Sequence, residues 1–171
     1  MKKWMKIVIG IVIGIYLIMV VFTTAFLLNK NDYGVSKFLN RYLVIVDEES
    51  LEDFKKDSLL VIKSVDANDV EVGEKVFFYD TYSVEKKIKY TEVTRKEKIN
   101  ENETTFTMKD NSPISGQYLL GTQKSTSEMH TLGKILNVVQ SRWGFLLIVV
   151  FPLFLALIYE MYAIYKEFKK K

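Results

Sequence analysis

The sequence predicts a small, mostly β domain carried between two transmembrane helices. Three observations predict it. An uncharged apolar run extends from Ile7 to Leu28. A second extends from Trp143 to Tyr159. Between them, short apolar stretches alternate with polar turns, and no helical period of useful length appears.

The first run has 22 residues, enough at about 1.5 Å per residue to cross a hydrocarbon layer roughly 30 Å thick. It is longer than the ~7–15 apolar residues of a cleaved signal peptide, and FLLNKNDYG after it lacks a small-x-small cleavage site. A retained anchor is therefore expected over residues 7–28. The second run continues past Glu160 to Tyr165 and gives a span over residues 143–165. Trp143, Tyr159, Tyr162 and Tyr165 mark its ends as an aromatic belt does, and lysines lie beyond. Pro152 inside it is tolerable in a membrane helix, where neighbours can satisfy the freed carbonyl.

Lysine placement sets the expected orientation. Lys2, Lys3 and Lys6 fall in the short tail 1–6, and Lys166, Lys169, Lys170 and Lys171 in the tail 166–171. Both termini should face the cytoplasm, which puts residues 29–142 outside the cytoplasmic membrane. That segment holds 17 Lys+Arg against 19 Asp+Glu. Its slight acidity gives no basic patch and argues against a nucleic-acid partner. With no cysteine in the chain, disulfides are excluded. No residue cluster suggests a metal, and no cofactor is expected.

The outer segment reads as follows. Residues 29–41 form a polar, irregular link, and Tyr42–Val46 a short strand. Residues 46–79 then form a hairpin-like unit on which the domain is organised: a polar turn with Ser50, a nearly continuous apolar strand Leu59–Val65, a turn at Val72-Gly73-Glu74, and a strand Lys75–Tyr79. KKIKYTEVTRKEKI is a long strand or hairpin; as a strand it would put Ile88, Tyr90, Glu92 and Thr94 on one face and Lys89, Thr91, Val93 and Arg95 on the other. TTFTMKD is a strand ending at Asp110, and NSPISG a turn. GQYLLGT and LGKILNVV are two further strands around the polar loop QKSTSEMH.

Candidate chemistry is sparse. A serine nucleophile needs a base within hydrogen-bond reach, and Ser50 in a polar turn has none beside it in sequence. Asp47, Glu48, Glu49, Glu52 and Asp53 could be a cation site, although a solvated turn explains them more simply. His130 is the sole histidine. It would suit a base, yet its Ser/Thr-rich surroundings suit an exposed loop. Asn102-Glu103-Thr104 matches a glycosylation sequon, a short and weak pattern.

The order of these pieces resembles type I signal peptidases of the endoplasmic-reticulum and archaeal branch. Ser50-Leu51-Glu52 stands where the family shows Ser-Met-Glu-Pro. Asp57-Ser58-Leu59-Leu60-Val61 is similar to the Gly-Asp-Leu strand, and Val70-Glu71-Val72-Gly73-Glu74 to the Val-Gly-Asp turn. Thr107-Met108-Lys109-Asp110-Asn111 is similar to the Lys-Gly-Asp-x-Asn segment. Leu119-Leu120-Gly121 and Leu132-Gly133-Lys134 resemble the family's later strand motifs, and the proline-bearing last span resembles its C-terminal span. The resemblance implies a serine endopeptidase that removes signal peptides from exported preproteins. Ser50 would be the nucleophile and Asp110 the residue that orients the base. The family's histidine base is missing. Arg95 aligned with the family's arginine puts Thr94 at the base position, a shifted register puts Glu92 there, and Lys96 or Lys89 could serve as in the Ser-Lys bacterial branch. The alternative expectation is a catalytically degenerate relative, an accessory or chaperone for secreted or surface subunits. In both cases the partners are exported chains and the lipid bilayer.

Overall fold

The computed structural model describes residues 3–47, 51, 53–84, 86–100 and 103–169. The chain divides into two compact units: Met1–Ala25 with Ile135–Lys171, and Phe26–Lys134.

The first unit is helical, and residues 26–28 of its first helix and 130–134 of its second belong to the other unit. α1 spans Lys3–Leu28. Toward the other end come α2 (His130–Gln140), α3 (Arg142–Phe145), one π turn (Leu146–Val150) and α4 (Phe151–Phe168). Within them, Gly10–Leu28 and Arg142–Lys166 are long and apolar enough to cross a membrane. Pro152 explains the π turn. It has no N–H to offer the carbonyl of Ile148, one turn earlier. The ladder shifts so that Phe151 N–H reaches Leu146 O. The hydroxyl of Tyr16 on α1 donates to Ile148 O and Val149 O, each at 3.1 Å. The neighbouring helix thus supplies the donor that the proline withholds. Tyr16→Phe is expected to weaken this helix pairing by about 1 kcal/mol. An earlier midpoint in SDS-driven unfolding from mixed micelles would register the loss.

The second unit contains nine strands among its described residues, arranged in two sheets. One sheet has the order β1-β2-β3-β9, from Val35–Phe38, Arg41–Ile45, Leu59–Lys63 and Thr126–Met129. The other has the order β7-β6-β5-β4-β8, from Pro113–Ser115, Glu103–Met108, Lys87–Asn100, Lys75–Asp80 and Leu119–Thr122. All pairings are antiparallel.

β4 lies in the middle of the domain's packing. Phe77 joins Val46, Leu60, Ile62 and Leu120 on one face, while Val76 and Phe78 join Val93, Phe106 and Met108 on the other. Coverage on both faces gives β4 its near-continuous burial. The turn into it needs Gly73, whose φ of +91° would strain any side-chain-bearing residue.

Several sequence expectations are corrected. Residues 46–79 are no hairpin, because β3 and β4 belong to different sheets. The link 29–41 contains β1. The turn NSPISG contains β7, an edge strand on which Pro113 lacks only a donor that faces no partner. The loop QKSTSEMH contains β9, a polar edge strand paired on one side with β3. LGKILNVV is not a strand. It lies in α2, where Leu132, Ile135, Leu136 and Val139 recur at helical spacing and Leu136 and Val139 are buried. The alternation of β5 holds from Ile88 to Val93, then the register shifts between Val93 and Arg95. Thr94 and Arg95 follow the shift.

Candidate functional site

The candidate site builds up from the loop that should carry the nucleophile. Val46 N–H donates to Ser58 O and Asp57 N–H to Val46 O, both at 2.9 Å. These two bonds clasp the base of a loop over residues 47–56. Ser50, with Glu48, Glu49 and Glu52, lies outside the described residues. Its neighbours do not. Leu51 is buried in the core, and Phe54 N–H turns back to Leu51 O. The Phe54 ring lies 5.5 Å from Phe77 and 5.3 Å from Tyr90, and those two rings lie 4.6 Å apart. Three aromatic side chains therefore pin the loop to one face of β4 and β5.

Asp53 is the polar centre of this contact. It accepts a hydrogen bond from Tyr90 Oη at 2.8 Å and a second from Lys75 Nζ. Lys75 Nζ also lies 5.4 Å from the centre of the Tyr90 ring. Strand register brings these side chains together. Phe77 pairs with Tyr90 and Lys75 with Glu92, so Lys75, Phe77, Tyr90 and Glu92 share a face. The lysine and tyrosine hydrogen bonds hold the Asp53 carboxyl below its ordinary range. Burial, reinforced by the Asp53 carboxylate, pushes the Tyr90 phenol well above its own. Tyr90 is thus a proton donor at neutral pH.

Three of the predicted base candidates, Lys96, Lys89 and Thr94, are occupied elsewhere. Lys96 Nζ donates to Asn68 O and Val70 O at 2.7 and 2.8 Å. Lys89 projects from the other face of β5 and lies 2.9 Å from Asp80. Thr94 Oγ1 donates to Thr107 O at 2.9 Å, and Arg95 pairs with Glu97. Glu92 stands opposite Lys75 and lines a recess of about 280 Å3 with it. Asp110 sits in the β6–β7 turn, where its Oδ1 accepts from Ser112 N–H at 3.0 Å and Ser112 Oγ at 2.5 Å. That serine hydrogen bond is the main reason its carboxyl titrates low. The cation whose field reaches Asp110 is Lys89, on the opposite face of β5 from Tyr90.

His130 is not an exposed bystander. Its Nδ1 lies 3.0 Å from Ser58 Oγ, which lies 2.5 Å from Glu128 Oε1. Serine, histidine and glutamate meet here, but in the wrong order for nucleophilic catalysis. The serine donates its one proton to the carboxylate, so the ring donates to the serine rather than receiving from it. Ser58 is also fully buried, out of reach of a substrate. Glu128 accepts Lys55 N–H as well, at 3.1 Å. The cluster ties β3, β9 and the start of α2 to the loop that carries Ser50.

Sequence reasoning missed Tyr90 and Lys75. The only signal was the alternation that put Tyr90 and Glu92 on one face. Among the described residues no group of three or more His, Asp and Glu side chains could hold a metal ion. No family model, curated protein or solved structure matches the chain.

Proposed function

We propose that the chain is a signal-peptidase-like membrane protein that engages exported polypeptides without cutting them. On this reading both termini are cytoplasmic and the β unit lies on the far side of the membrane. It acts there as an accessory or chaperone for secreted or surface subunits. One observation carries the non-cleaving half: the side chain of β5 that meets the Ser50 loop is Tyr90, a phenol held protonated against the Asp53 carboxylate. A serine hydroxyl needs a neutral amine, an imidazole or another acceptor to take its proton. The cation in the same contact, Lys75, has its Nζ engaged by the Asp53 carboxylate.

The family half rests on the motif order and on backbone features at the same places. Asp57 adopts a φ of +62°, the left-handed conformation glycine favours. It lies one residue after Lys56, which stands where the family has its glycine. Gly73 has the positive φ that its turn requires. Gly133 allows α2 to touch Asp57–Leu59 directly.

A second reading keeps catalysis, with Ser50 as nucleophile and Lys75 as base, because Lys75 reaches the residue three positions after Ser50. Membranes carrying the wild type or Ser50→Ala, given a labelled preprotein, separate the two. We expect the same processed fraction from both as from membranes lacking the protein, with crosslinking of the preprotein retained. A mature product that appears with wild type and disappears with Ser50→Ala would overturn the non-cleaving reading. Lys75→Met would then test the base.

A further inference from the structure

The connection between β4 and β5 has an exposed apolar tip. Its two ends are fastened to the residues that follow α1. At the start, Tyr79 Oη accepts a hydrogen bond from Asn31 Nδ2 at 3.0 Å, and its ring lies 4.5 Å from that of Tyr33. At the finish, Lys86 Nζ pairs with the Asp32 carboxylate. Asp32 comes four positions after Leu28, the last residue of α1. Four residues of chain reach no further than about 14 Å. The loop is therefore held close to where the apolar helix stops.

The tip itself is built. Asp80 Oδ1 accepts Tyr82 N–H at 3.0 Å and Ser83 N–H at 3.2 Å, which fixes the turn by a side chain. Asp80 is anchored in turn by Lys89. This ordered turn presents two apolar side chains outward. Val84 is wholly exposed and Tyr82 is 68% exposed. Nothing in the domain's packing asks for them there.

We propose that Tyr82 and Val84 enter the headgroup layer of the bilayer that α1 crosses, so that the β unit rests on the lipid surface through this loop. This rests on the reading that α1 spans a membrane. Two side chains would hardly bind a free domain to lipid. A domain already tethered by a span loses little further freedom, so a weak interfacial preference is enough. Tyrosine suits the place, with a ring for the acyl boundary and a hydroxyl for water. The Lys86–Asp32 pair stays hydrated at headgroup level. The consequence is orientational: the loop fixes which side of the β unit faces the membrane, and with it the height at which the Ser50 loop meets an emerging chain.

The chain has no cysteine, so single cysteines report cleanly. Val84→Cys, Ile99→Cys and Val12→Cys would each carry a nitroxide in the full chain, reconstituted into phosphatidylcholine vesicles. Collisions with oxygen and with a water-soluble nickel chelate would be compared. Ile99 is exposed near the far end of the 14-residue β5 and serves as the aqueous reference. Val12 lies in α1 and tests the span. The expected result is a lipid-like ratio at 12 and a ratio at 84 several-fold above that at 99. A lipid-like ratio at 12 with equal ratios at 84 and 99 would overturn the loop proposal and leave the span intact. A water-like ratio at 12 would overturn the membrane reading, and the proposal with it.

Discussion

Gly133→Ala is expected to lower the stability of the full chain by about 2 kcal/mol. Two effects oppose each other. Alanine in place of a helical glycine gains up to about 1 kcal/mol from helix propensity. The added Cβ, however, would lie 2.2 Å from Asp57 O, 2.3 Å from Leu59 N and 2.5 Å from Ser58 C. These are backbone atoms and cannot rotate away, so α2 must lift off the start of β3. Overpacking of this kind costs about 3 kcal/mol, and the clash wins. Lifting α2 also pulls His130 from Ser58 and loosens the clasp under the Ser50 loop. Urea unfolding of the full chain in detergent, followed by circular dichroism, would show the loss. Leu132→Ala is the comparison, since Leu132 is half exposed on the same helix. Equal shifts for the two variants would mean that the contact at Gly133 is looser than its geometry implies.

The same residue shows where the sequence was legible. The apolar helices, β2, β4 and β5 announce themselves by composition and period: uncharged runs, a near-continuous apolar stretch and strict alternation. LGKILNVV was ambiguous because a short apolar run fits a strand or a helix. The deciding fact, that a glycine had to touch the backbone of Asp57–Leu59, is tertiary. β7 and β9 were illegible for another reason. Each is a short edge strand paired on one side, and too little of it is buried to set up a pattern: Ile114 alone in β7 and no residue in β9. β3 and β4, adjacent in the chain, part into different sheets, and no local pattern says so.

The site divides in the same way. Ser50 and Asp110 were singled out by resemblance alone, and Asp110 is found serving its own turn through Ser112. Tyr90 and Lys75 matter because β4–β5 register sets them under Asp53, and register follows from pairing across a loop whose length says nothing of it. His130 looked like a loop residue because its partners, Ser58 just before β3 and Glu128 in β9, are distant or unmarked in the sequence.

The second large effect concerns Asp80. Its side chain is 2% exposed, with Lys89 Nζ at 2.9 Å and two backbone N–H groups on the other oxygen. Asp80→Ala would remove the acceptor that fixes those two turn N–H groups and leave Lys89 without its carboxylate. Breaking a fully buried ion pair costs about 3–5 kcal/mol. Lys89 is 46% exposed and can turn to water, so we expect about 2–3 kcal/mol, read from the same urea midpoints. Asp80→Asn keeps an oxygen for the two N–H groups and loses only the charge, so about 1 kcal/mol is expected. The two variants therefore separate turn geometry from charge. Acid gives an independent check. Burial raises the Asp80 carboxyl, but the Lys89 hydrogen bond and the Tyr82 and Ser83 amides outweigh it, and the folded value lies below the ordinary one. A carboxyl lowered by folding contributes its full stability above about pH 4 and loses it as pH falls through the folded value. The gap between wild type and Asp80→Asn should accordingly be full at neutral pH and narrow as pH falls below about 4. A gap that stays constant over that range would mean that the ion pair adds nothing and that Asp80 acts only through its turn. Since that turn presents Tyr82 and Val84, Asp80→Ala should also disorder the tip proposed to meet the membrane, whereas Asp80→Asn should leave it in place.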